Sequence, residues 1–144
     1  MSAPVYDQSN IFAKILRGEL PCHKVYEDDV ALAFMDIMPR ADGHVLVIPK
    51  AFARNILDVD PHVLSALMLR VQKVARGVKT AVAAEGLTIQ QFNESAGGQI
   101  VFHLHFHILP RWDDVTLRPH SGVMEKNKVL AAFAKKIAAA IEPA

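Results

Sequence analysis

Residues 100–111, IVFHLHFHILPR, alternate imidazole with apolar side chains. Successive side chains of an extended strand point to opposite faces. His103, His105 and His107 then share one face, and Leu104, Phe106 and Ile108 share the other. Neighbouring histidines on such a strand lie about 6.5–7 Å apart. The apolar face needs a covering layer, whereas three adjacent imidazoles make poor core, because each requires hydrogen-bond partners when buried. The pattern predicts a sheet with one packed face and one face that opens on a cleft or a second layer.

The covering layer is predicted by the longest periodic stretch. Asp60 can cap a helix, Pro61 suits its first turn, and Gly86 can end it. Leu64, Leu67, Met68, Val71, Val74, Ala75, Val78 and Val82 form its apolar stripe, with Lys73, Arg76 and Lys79 mostly off it. A short amphipathic helix is expected over residues 7–17, capped by Asp7 or Ser9, with Gly18 past its end. Residues 24–27 and 30–35 read as a hairpin around Asp28 and Asp29, and residues 44–48 as a third strand. Residues 87–92 and 100–109 give two further strands, and residues 129–141 a terminal helix. Helix, three strands, long helix, two strands and helix, in that order, favour an α+β fold with a mostly antiparallel sheet.

A chain of 144 residues suits one domain, 1–144. Sixteen basic against fifteen acidic side chains leave a net charge of +1, which gives no general attraction to nucleic acid or anionic membranes. A phosphate site must therefore be local. The lone Cys22 excludes an internal disulfide and a zinc site built on cysteine pairs. The opening MSAPVYDQSN lacks a basic region followed by an apolar run, and no stretch approaches the roughly 18 apolar residues of a membrane span. The expected setting is the cytoplasm.

Two chemistries suit the histidine strand. Two imidazoles in an H-x-H pattern can hold zinc, with His44 or Asp36 as a third ligand. Alternatively one histidine attacks phosphorus while its neighbours orient it and bind phosphate oxygens. Residues 93–99, NESAGGQ, favour the second. Gly97 and Gly98 allow close backbone approach, turn N–H groups can cradle an anion, and Asn93 and Gln99 add amide donors.

HLHFHIL preceded by AGGQ resembles the signature of the histidine triad (HIT) nucleotide-binding proteins. NIFAKILRGELP, VYEDDVALAFMDIMP, GHVLVIPK and the following PR resemble that family in order and spacing, closest to its bacterial members. The resemblance implies a five-stranded antiparallel sheet with a long helix and terminal helices. It implies a homodimer formed through the long helix and a strand. It also implies binding of purine nucleotides and cleavage at the α-phosphate through a nucleotidyl-histidine intermediate, with no cofactor or metal. The substrates so implied are dinucleoside polyphosphates or nucleoside phosphoramidates, and the alternative is a nucleotide-binding module with little turnover. His105 resembles the nucleophile, His103 its orienting neighbour, His107 the phosphate binder and His44 a fourth histidine of the site. Asn93, Gly98 and Gln99 match phosphate-contacting positions, and Asp36 the residue that takes both ribose hydroxyls. Ile11, Phe12, Ile15, Phe34, Ile37 and Leu46 match the pocket for the base.

Three residues depart from that pattern. Asn10 and Ala13 stand where some relatives carry a C-x-x-C pair, so no structural zinc is expected there. Ile100 stands where several carry a hydroxyl that helps the leaving group, which disfavours phosphoramidates. His23, His62 and His120 read as surface histidines, and residues 115–144 as a C-terminal extension with a helix.

Overall fold

The structure, a computed structural model, describes residues 5–119 and 122–141. The hairpin turn comes from Asp28, whose Oδ1 accepts the N–H groups of Val30 and Ala31 at 2.8 and 2.9 Å. It joins β1 (Lys24–Glu27) to β2 (Ala31–Met35), and β3 (Val45–Pro49) follows the loop beyond it. Helix α2 (Pro61–Ala81) then leads to β4 (Gly86–Gln90) and β5 (Phe106–Arg111), preceded by α1 (Ile11–Leu16) and followed by α3 (Asn127–Ala140). The five strands form one antiparallel sheet in the order β1-β2-β3-β5-β4.

Register sorts the side chains into two faces. Val47 pairs with Phe106 and Ala33, and Val45 with Ile108 and Met35. These residues pack with Leu67, Val71, Val74 and Val78 of α2 and with Leu130 and Ile137 of α3. The other face pairs Phe34 with Leu46 and Leu46 with His107. Phe34 and Leu46 join Leu32, Ile48 and Phe12 of α1 in a second, smaller cluster. Strands β2 and β3 are buried along their whole length because both faces are covered.

Element boundaries differ from the sequence reading for local reasons. Helix α1 begins at Ile11, because Asn10 caps it through Oδ1 to the Ala13 N–H at 2.9 Å. Asp7 is engaged by the N–H and hydroxyl of Ser9 instead. Helix α2 stops at Ala81, short of Gly86, where Ala83 takes a left-handed φ of 51°. Gly86 opens β4.

The last strand begins at Phe106, not Ile100, because β3 pairs with it only through residues 106–108. Residues before it bond elsewhere: the Leu104 N–H goes to the Ala53 carbonyl at 2.8 Å. Among the described residues no helix is long and apolar enough to cross a membrane. His120 lies outside the described residues. His23 is half-buried beside Asn127, and His62 is exposed.

Candidate functional site

The imidazole alternation survives although β5 is short. Leu104, Phe106 and Ile108 enter the core under α2, which turns His103, His105 and His107 toward the other face. His107 lies on β5 opposite Leu46 and Gln90. His44 precedes β3, after Gly43 at φ +88°, a conformation that L side chains rarely adopt.

Hydrogen-bond partners assign the protons. His105 Nδ1 lies 2.6 Å from the His103 carbonyl oxygen. A carbonyl only accepts, so Nδ1 carries the hydrogen and Nε2 of the neutral ring keeps a lone pair. His103 Nε2 donates to the Pro49 carbonyl at 2.8 Å, and its Nδ1 faces the Tyr6 hydroxyl at 2.5 Å. The Arg40 backbone N–H donates to His44 Nδ1 at 3.1 Å, which places the His44 proton on Nε2. That nitrogen lies 2.9 Å from His107 Nδ1 and 3.5 Å from Asp36 Oδ2. The His107 proton then belongs on Nε2.

Burial dominates the electrostatics. It pushes His103 down to about 4 against the opposing pull of the Pro49 carbonyl, with His105 lowering it further. It lowers His105 as well, so both rings are neutral near pH 7. Asp36 is pushed up to about 6 by burial, opposed by the Met38 N–H on its Oδ1 at 2.8 Å.

Ligand atoms of Asp36, His44 and His107 lie within 4.8 Å of one another, a spacing that suits a metal ion. The donor set does not fit one. A metal-bound histidine normally donates through its other ring nitrogen. Here the other nitrogen of His44 accepts from Arg40, so the proton sits on the nitrogen that would bind metal. His44 Nε2–H donates to His107 Nδ1, with the Asp36 carboxylate beside them at 3.5 Å. Of the triad only His107 reaches this cluster, so the arrangement also differs from a pair of strand imidazoles completed by His44 or Asp36.

Of the six residues expected around a base, Phe12, Ile15, Phe34 and Leu46 meet in the smaller cluster, with Leu16, Cys22 and Val101. Ile11 and Ile37 are 47% and 44% exposed and lie outside it. The Phe12 ring meets His105 edge-on at 5.0 Å, so apolar cluster and imidazole are contiguous.

Loop 93–99 is held from within. Gln99 donates to the carbonyls of Arg54 and Val101 and accepts from the Glu94 N–H and Asn55 Nδ2. The N–H groups of Gly97, Gly98 and Gln99 bond to the Glu94 and Ser95 carbonyls, so they do not form the anion cradle expected of them. Asn93 exchanges amide bonds with Gln91 and accepts the Ile56 N–H. Arg54 clamps Glu94 with two bonds of 2.8 Å.

Sequence reasoning did not find Tyr6, Arg40, Arg54 or Asn55. Their partners lie far along the chain, or the contact runs through backbone, and no local pattern marks them.

The HIT domain family matches residues 17–114. The chain belongs to the HIT family. A HIT-like protein from Bartonella henselae has the same fold, with 51% identity and a TM-score of 0.92 over 96% of this chain and all of its own. Adenylylsulfatase HINT3 of Arabidopsis thaliana is 36% identical over 81% of this chain, which spans 62% of that protein's length. Adenosine 5′-monophosphoramidase hnt1 of Schizosaccharomyces pombe is 38% identical over 72% of this chain and 74% of its own. The matched HIT span holds Asp36, His44, loop 93–99 and the three histidines, but not Tyr6, Asn10 or Phe12.

Proposed function

We propose that this HIT-family protein hydrolyses purine nucleotides at the α-phosphate through a nucleotidyl intermediate on His105. One observation carries the reading: the 2.6 Å bond from His105 Nδ1 to the His103 carbonyl leaves Nε2 with its lone pair beside a buried apolar cluster. Nε2 attacks the α-phosphorus, and the bond to the leaving group breaks while a hydrogen bond from His107 Nε2–H steadies the departing anion. The ring becomes a nucleotidyl-imidazolium whose charge the His103 carbonyl stabilises through Nδ1–H. Water then attacks phosphorus and gives up its proton to solvent. The P–N bond breaks, which releases the mononucleotide and neutral His105.

Asp36 takes the ribose hydroxyls through its two oxygens, and Ile11, Phe12, Ile15, Phe34, Ile37 and Leu46 line the place for the base. Asn93, Gly98 and Gln99 act by shaping the loop beside the phosphate. No metal or cofactor takes part. Relatives named adenylylsulfatase and adenosine 5′-monophosphoramidase support chemistry at a nucleotide phosphate. Ile100, 74% exposed, offers no hydroxyl to a leaving amine and favours phosphoanhydride substrates.

The working form is a homodimer built on α2 and β4. Strand β4 is an edge of the sheet, and Leu69 and Ile89 are 65% and 46% exposed. The free thiol of Cys22 accords with a reducing, cytoplasmic setting.

The test is turnover on a nucleoside phosphoramidate, a dinucleoside triphosphate, a dinucleoside tetraphosphate and a nucleotide sugar, with and without EDTA. Release of mononucleotide at a rate indifferent to EDTA is expected. Binding of mononucleotide without turnover of any substrate would establish a binding module instead, and a rate that EDTA abolishes and zinc restores would establish a metal enzyme.

A further inference from the structure

His103 is fully buried, yet both of its ring nitrogens have partners, and one partner comes from 97 residues away. The Pro49 carbonyl can only accept, so His103 Nε2 carries the hydrogen and Nδ1 offers a lone pair. A donor must meet that lone pair. The Tyr6 hydroxyl does so at 2.5 Å.

The same oxygen accepts from Asn10 Nδ2 at 3.0 Å, which directs the hydroxyl hydrogen toward His103. Asn10 is itself fixed, because its Oδ1 caps α1 and its Nδ2 also donates to the Asp7 carbonyl. The Tyr6 ring stacks on Phe52 at 4.9 Å, with planes 13° apart. A chain of hydrogen bonds therefore runs from the cap of α1 through Tyr6 and the His103 ring to Pro49.

We propose that Tyr6 is a positioning residue: its hydroxyl holds His103 as the neutral Nε2–H ring and so fixes the carbonyl that orients His105. The role rests on the hydrolase reading above. Two consequences follow for that reaction. With both nitrogens anchored, residue 103 cannot turn, and its carbonyl stays in place for His105 Nδ1. A donor at Nδ1 also opposes protonation of His103, which keeps a second positive charge away from the imidazolium that forms on His105. His105 is the titratable ring facing His103 besides Tyr6, and Asp7 and Arg17 act on Tyr6. The merely structural alternative is that Tyr6 only seals the first residues over the core. In that case its ring matters and its hydroxyl does not.

Tyr6→Phe keeps the ring and its stack on Phe52 and removes only the hydroxyl. The test uses the full chain with ¹⁵N-labelled histidine. In the wild type, NMR should show His103 in the Nε2–H tautomer with a hydrogen-bonded Nδ1. In Tyr6→Phe the Nδ1 signature should disappear and His103 should protonate at higher pH. Turnover of whichever panel substrate is active should fall about 10-fold in kcat, the scale of one hydrogen bond, with little change in KM. The acid limb of its pH profile should move upward. An unchanged Nδ1 signature and titration of His103, or a lost Nδ1 hydrogen bond with unchanged kcat, would overturn the proposal. If the wild type turns over nothing, the hydrolase reading fails and the role in catalysis falls with it, while the NMR comparison still decides whether Tyr6 anchors His103 Nδ1.

Discussion

The His103 carbonyl oxygen lies 2.6 Å from Nδ1 of His105, two residues on. In the proposed reaction, the His103 backbone orients His105, and the far nitrogen of His105 is the nucleophile. In that reaction the Nδ1–H···O bond would strengthen as positive charge develops on the attacking ring, and so favour the transition state over the resting state.

Replacing His105 with Asn should remove turnover by at least about 10⁴-fold while nucleotide affinity survives, because the substitution deletes the attacking lone pair and leaves the base cluster in place. Steady-state kinetics and calorimetric titration with AMP check both halves. Turnover within about 10-fold of wild type would exclude His105 as nucleophile. Replacing His107 with Ala should cost about 10²-fold, the scale of one positioned donor.

Asp36 should make nucleoside binding pH-dependent. Its carboxyl, held at about 6 by burial, is largely protonated at pH 5 and ionised at pH 7.5. Only the ionised form accepts from both ribose hydroxyls, so adenosine should bind more tightly as pH rises through about 6, and 2′-deoxyadenosine should show less of this rise. Stability runs the other way. A carboxyl whose folded value lies above its ordinary 3.8 favours folding while protonated and loses that advantage as pH rises from about 4 to 6. Asp36→Asn should therefore be more stable than wild type at pH 7.5, by up to about 3 kcal/mol, and nearly equal near pH 4. His103 acts in the opposite sense, losing stability as pH falls from about 6.5 toward 4, but it is common to both proteins. Denaturant midpoints at the two pH values test the difference.

Ile100 should discriminate between leaving groups. Ile100→Ser should raise phosphoramidate turnover about 10-fold and change dinucleoside polyphosphate turnover little, because an amine needs a donor more than a polyphosphate does. Competition between the two substrate classes measures the ratio. A wild type that already prefers phosphoramidates would remove Ile100 from the account.

The wild type should sediment as a dimer at micromolar concentration, and Leu69→Glu with Ile89→Lys should give a folded monomer. The two exposed apolar residues lie on α2 and edge strand β4, and charges there oppose pairing. A monomeric wild type would contradict the proposed interface.

How far the sequence reached depends on where each constraint lies. The stripe of α2, the Asp28 hairpin and the alternation of residues 103–108 are local, and the fold displays all three. The start of β5 was illegible because it depends on how far β3 extends beside it. Asp7 and Asn10 are both competent caps, and only the engagement of Asp7 by Ser9 separates them. In the site, Phe12, Phe34 and Leu46 converge, whereas Ile11 and Ile37 share their chemistry but not their burial. Gln99 carries amide donors as the motif suggests, but the carbonyls of Val101 and of Arg54, 45 residues away, occupy them, while Asn55, 44 residues away, donates to its oxygen. Tyr6 bears no pattern at all.

The most direct measurement of the central proposal is peptide mass mapping of enzyme quenched in acid-free conditions during turnover of the best panel substrate. The account predicts one nucleoside monophosphate attached to the peptide that contains His105, formed and lost at rates that match turnover, and absent from His105→Asn. Turnover by the wild type with no adduct during the reaction, or an adduct on another residue with the same kinetics, would contradict it.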